Sequence, residues 1–229
     1  MAADDAQVFS AIAQCFAPTT DEAWTALTQN AEWDGILSGA RNLVSGARPL
    51  GCGDAPIARA HRAVPLSEFL TEQEIQALFV PPIAEEKHRF AAQHFTGGLP
   101  QSALPVESLY RAWASEGMFA GERGMYNSEV ARYMRDLTAS LGLEVPASFS
   151  ACPDHLAIEL EVAAVLIDAG RADEARQFFV ERFDWLTLYR LKLIELGEEA
   201  VFYVALVDLL IGIRAGQLPY EEAAGANEQ

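Results

Sequence analysis

The run Pro153-Asp154-His155-Leu156-Ala157-Ile158-Glu159-Leu160 sets polar groups able to do chemistry against an apolar background. Asp154 and His155 place a carboxylate beside an imidazole, a pairing that can move protons or share a metal ion. Glu159 follows His155 by four residues, which would put the two side chains on one face of a helix. The three residues together form a candidate acid–base or metal cluster. The same residues also read as architecture. Pro153 suits a first helical turn because its missing N–H has no partner there, and a carboxylate at Asp154 favours the positive end of a helix dipole. On that reading Asp154 caps the helix and His155 is a hydrogen-bonded residue at its start. His61, His88 and His94 have no paired spacing with His155, whereas most catalytic metals take about three protein ligands.

Other reactive patterns are sparse. Ser108 lies outside a G-x-S-x-G elbow, and neither phosphate-cradling glycine motif occurs. Cys15, Cys52 and Cys152 are far apart and odd in number, with no C-x-x-C, as expected for free thiols in a reducing compartment. No cofactor is expected.

Helical periodicity runs through the elements that would position these residues. Val8, Ile12 and Phe16 mark a helix over about residues 3–17, which Pro18 ends. Asp21 can cap a short helix carrying Trp24, and Trp33, Ile36, Ala40 and Val44 form another stripe. Residues 45–65 are rich in Gly and Pro and read as a long connection. Thr71 and Glu74 fit a capping box, and Pro81-Pro82 separates that helix from one over 83–95. Further helices are expected over 128–141, 154–169, 171–182, 185–196 and 198–215, with Gly142, Gly170 and Gly197 at their ends. Trp113, Phe119, Trp185 and Tyr189 are expected in the core, with the alternative that one lines a peptide groove. The segment 164–175 looks like half of a tetratricopeptide repeat, but it occurs once where such arrays need about three copies. No run alternates as a strand does. The expected fold is an all-α, single-domain bundle over 1–220 of roughly nine to eleven helices, with 221–229 a disordered acidic tail.

The chain carries 16 basic and 33 acidic residues, a formal net charge of -17. With no basic run, nucleic acid and anionic membranes are not expected partners, whereas a cationic one would be attracted. The most apolar segment, 200–213, is interrupted by Asp208 and Gly212 and reads as a core helix rather than a membrane span. No basic segment followed by an apolar stretch opens the chain, so no secretory signal is expected.

Three segments in order, Phe95-Thr96-Gly97-Gly98, Pro105-Val106-Glu107-Ser108-Leu109-Tyr110 and Pro153-Asp154-His155-Leu156, resemble the TorD/DmsD/NarJ family of redox enzyme maturation chaperones. The resemblance covers about residues 83–210. Ala91 and His94 stand where the family has an aromatic residue and a leucine, and Pro153 adjoins Asp154 in the NarJ-like manner. The resemblance implies a non-enzymatic cytoplasmic chaperone, monomer or homodimer. Its partner would be the twin-arginine leader, or another part, of a molybdopterin oxidoreductase precursor held back from export until its cofactor is inserted. Carried over by position, Phe95, Pro105, Val106, Glu107, Ser108, Tyr110, Asp154 and His155 would line the peptide site. A NarJ-like chaperone binding the catalytic subunit itself, a metal-dependent enzyme using His155, Asp154 and Glu159, and a generic helical scaffold are the alternatives.

Overall fold

The computed structural model describes residues 4–44, 50, 71–97, 101–112 and 128–217. The described residues form ten α-helices, short 3-10 turns and no strand. The helices are α1 (Asp5–Phe16), α2 (Asp21–Leu27), α3 (Asn30–Val44), α4 (Glu72–Leu78), α5 (Ala84–His94), α6 (Glu129–Ser140), α7 (Leu156–Asp168), α8 (Ala172–Arg182), α9 (Leu186–Ile194) and α10 (Val201–Gln217). The connection over 45–65 (except Leu50), Trp113, Phe119, His61, Cys52 and the tail from 221 lie outside the described residues.

Local sequence explains where several helices begin and end. Asp4 accepts the Gln7 N–H at 2.8 Å while Gln7 Oε1 accepts the Asp4 N–H at 3.1 Å, a reciprocal box that starts α1. Thr20, not Asp21, caps α2, because its hydroxyl reaches the Ala23 N–H; Asp21 sits in the first turn. Gly142, Gly170 and Gly197 all take positive φ, as the helix ends there require.

The core forms one cluster of buried apolar side chains from Ala6 to Ile213. α1 lies along α7, and α10 packs on α9 and α3. α7 is apolar nearly all round, and nine of its side chains are buried, which places it at the centre. No described helix is long and apolar enough to cross a membrane; α10, the helix of the 200–213 segment, is a core helix.

Candidate functional site

The second and third motif segments meet at the start of α7. The Glu107 N–H donates to the Asp154 carbonyl at 3.0 Å, and the Leu156 N–H donates to the Pro105 carbonyl at 2.8 Å. Val106 and His155 thereby face each other across an isolated antiparallel bridge. The Asp154 carboxylate extends the clasp, with Oδ2 accepting the Ser108 N–H at 2.9 Å.

This pairing moves the helix start. Asp154 stands one residue ahead of the cap rather than in the first turn, and α7 begins at Leu156. The cap is His155, whose backbone is extended (φ -75, ψ 138) and whose Nδ1 accepts the Ala157 N–H at 3.1 Å. A residue bridged to Val106 in extended form cannot also be helical, so the bridge sets the boundary. Burial pushes the His155 imidazole down to about 3, so the ring is neutral and its proton sits on Nε2. The ring rests against Phe149, with centroids 4.7 Å apart.

Glu107 and Glu159 are both fully buried beneath this clasp. Glu107 Oε1 accepts from Arg111 Nη1 at 2.5 Å, and Oε2 pairs with Arg182 Nη2. Arg111 also stands 3.5 Å from Asp184. Glu159 Oε2 accepts from Trp185 Nε1 at 3.3 Å. Burial, then the Glu107 charge and a hydrogen bond with Glu107, push the Glu159 carboxyl well above the usual carboxylate range, against the nearby Arg182. Glu159 Oε1 is buried with no hydrogen-bond partner among the described residues, a setting that disfavours a charge there. Its surroundings therefore favour the neutral form of Glu159. Glu159 turns to Glu107 and Trp185 while His155 packs on Phe149, so the two do not form one acid–base pair. Among the described residues no group of three His, Cys, Asp or Glu is placed to hold a metal ion.

Tyr110 closes the clasp from outside, stacked on Trp185 (5.6 Å, 16°) and 5.4 Å from Tyr189. Trp185 and Tyr189 are core residues, as expected. Phe95 belongs to a different cluster, with Phe16, Phe90 and Tyr203 at 5.9, 5.4 and 5.3 Å. The structure thus brings together Pro105, Val106, Glu107, Ser108, Tyr110, Asp154 and His155, and sets Phe95 apart.

Sequence reasoning missed Arg111 and Arg182, the two cations that hold Glu107. Arg111 had a signal, since it stands four residues after Glu107. Arg182, 75 residues away, had none. Lys87 was also missed. It is buried, and its Nζ donates to the Ala17 carbonyl at 2.8 Å and to Thr19 Oγ1 at 2.6 Å, tying α5 to the end of α1. Burial pushes its pKa down to about 8.

A search of curated proteins finds no match to the chain. The family model described as the nitrate reductase delta subunit matches residues 66–193, a span that contains both halves of the clasp and both buried glutamates. That span is more than half of the chain, and the family supports a role in molybdoenzyme assembly. The chain belongs to the nitrate reductase delta subunit family, a family of chaperones with a TorD-like relationship.

Proposed function

We propose that this protein is a cytoplasmic chaperone that binds the twin-arginine leader of a molybdopterin oxidoreductase precursor and delays export until the cofactor is inserted. The observation that carries this reading is the family match, which spans the two motif segments that join at the start of α7. Chemistry supports it too. A leader of this kind offers two guanidinium groups followed by apolar residues, and a chain of net charge -17 attracts it over long range. Carboxylates pair with guanidinium in two parallel bonds, which favours Arg over Lys.

Of the eight expected peptide-site residues, Glu107, Ser108, Asp154 and His155 are buried and bonded within the chain. Their contribution is therefore positional. They fix the 105–110 turn and the start of α7, while the half-buried Tyr110 borders the surface.

Calorimetric titration with a twin-arginine leader peptide and its Lys-Lys variant, at two salt concentrations, tests the reading. Saturable binding that weakens sharply for Lys-Lys is the expected result. Equal binding of both peptides, or none, would contradict it.

A second reading has its own support. The family description and the direct Pro153-Asp154 junction favour binding of the catalytic subunit itself. A client lacking its leader still binds under that reading and does not under the first.

A further inference from the structure

We infer that the client segment docks in a groove between the α4–α5 turn and the start of α10, on a face that none of the clasp residues reaches. The inference rests on the client being a cationic, apolar peptide segment, as proposed above. The groove holds about 400 Å³ and is lined by Leu78, Val80, Pro82, Phe90, Val201 and Phe202, with Glu86, Arg89, Glu198 and Glu199 also on its lining. That volume suits a few side chains rather than a folded surface.

The walls are rigid for reasons visible in the sequence. Trp24 Nε1 donates to the Pro82 carbonyl at 2.9 Å, and Trp33 Nε1 donates to the Phe79 carbonyl at 2.8 Å. Two buried indoles thus hold the turn between α4 and α5 from behind, and both rings contact Phe202. On the opposite side Gly197, at φ 82 and ψ -148, turns the chain so that Glu198 and Glu199 reach the rim ahead of α10. Phe90 stacks on Tyr203 at 4.3 Å along the floor, and Phe95 packs on both from behind.

Two features point to the occupant. Val80 is 64% exposed and Val201 41%, with Ile83 beside them at 64%, so large apolar side chains are uncovered on the walls of a concave site. Glu86 and Glu198 are exposed and have no ion pair or side-chain hydrogen bond with another described residue. Glu199 accepts from His94 Nε2 at 2.9 Å and is half exposed. Glu86 and Glu198, with Glu199 held by His94, stand against one cation on the described lining, Arg89, so that lining is acidic. An apolar floor under an acidic rim fits a peptide segment in which a guanidinium adjoins apolar side chains. The cation would pair with Glu198 or Glu86, and the apolar residues would cover Val80, Val201 and Phe202.

The test is titration of an Arg-Arg leader peptide into the wild type and three double variants. Glu86→Gln with Glu198→Gln removes two exposed acids of the rim, and Val80→Ser with Val201→Ser removes the exposed apolar walls. Glu144→Gln with Asp168→Asn changes the net charge equally at exposed acids elsewhere. Each groove variant is expected to weaken binding about five- to tenfold, and the control by less than about twofold, because a contacting charge acts on dissociation more than a distant one does. Equal affinities in groove and control variants overturn the groove while leaving the client reading intact. No binding to the wild type overturns both. Sedimentation that reveals a dimer lost in the Val80→Ser/Val201→Ser variant assigns the groove to a second copy and also overturns the proposal.

Discussion

The clasp at α7 and the groove at α10 use the same residue types in opposite ways. In the clasp, Glu107 and Glu159 are wholly buried, and Glu107 is held by Arg111 and Arg182 of the same chain. In the groove, Glu86 and Glu198 stand in solvent beside uncovered Val80 and Val201. A buried carboxylate with two internal cations offers a visiting arginine nothing until it loses a partner. An exposed one beside apolar surface gives up little hydration to meet it. On the proposed reading the motif residues hold shape, and binding falls to exposed groups that make no ion pair with another described residue.

Substitutions should separate the two regions by size of effect. Glu107→Ala leaves two arginines facing a space without charge, one of them Arg182 at 13% side-chain exposure. Loss of about 3–5 kcal/mol of stability is expected, read from urea or thermal unfolding. Asp154→Ala removes the acceptor of the Ser108 N–H and should cost about 1–3 kcal/mol by the same assay. At the groove, Gly197→Ala forces a side chain into a backbone region nearly closed to it and should cost about 1–3 kcal/mol while displacing Glu198. Peptide affinity should fall with it. The exposed Glu86→Gln and Glu198→Gln changes should alter stability by no more than about 0.5 kcal/mol.

The pH dependence sharpens the contrast, because the clasp holds two buried groups with shifted titration, Glu159 and His155. Burial and the Glu107 charge raise the Glu159 carboxyl in the fold, whereas an unfolded glutamate ionises near 4.5. Its stabilisation is complete below that value and declines as pH rises toward the raised native one. His155 behaves oppositely. It is neutral in the fold, with a value of about 3 against an ordinary 6.5, so its contribution is present above 6.5 and lost as pH falls toward 3. Unfolding midpoints followed across pH should show Glu159→Gln flattening the decline that begins above 4.5 and His155→Asn flattening the decline that begins below 6.5. A Glu159→Gln variant that keeps the full decline above 4.5 would remove Glu159 as its source.

The helices were legible because their signals are local. Apolar periodicity and terminal glycines placed α1 and α7 to α10 within a few residues. Residues 105–110 and 153–156 stood out as a family pattern, and they do meet in space. Their local role was not legible. Asp154 looks like a first-turn cap from its own neighbours, and only the bridge to Val106, far back in the chain, makes His155 the cap. Arg182 has no sequence cue for meeting Glu107, because that contact depends on how α8 packs. The groove was invisible for the same reason. Val80, Glu86, Glu198 and Val201 come from separate elements, and Trp24 and Trp33 shape their wall from two helices in the first quarter of the chain.

The most direct measurement is a paired one: melting temperature and leader-peptide affinity for Asp154→Ala and for Glu86→Gln/Glu198→Gln. The account predicts a lowered melting temperature with unchanged affinity of the folded protein for the first. It predicts an unchanged melting temperature with weakened affinity for the second. Weakened affinity confined to Asp154→Ala, with the groove variant binding like the wild type, would contradict it.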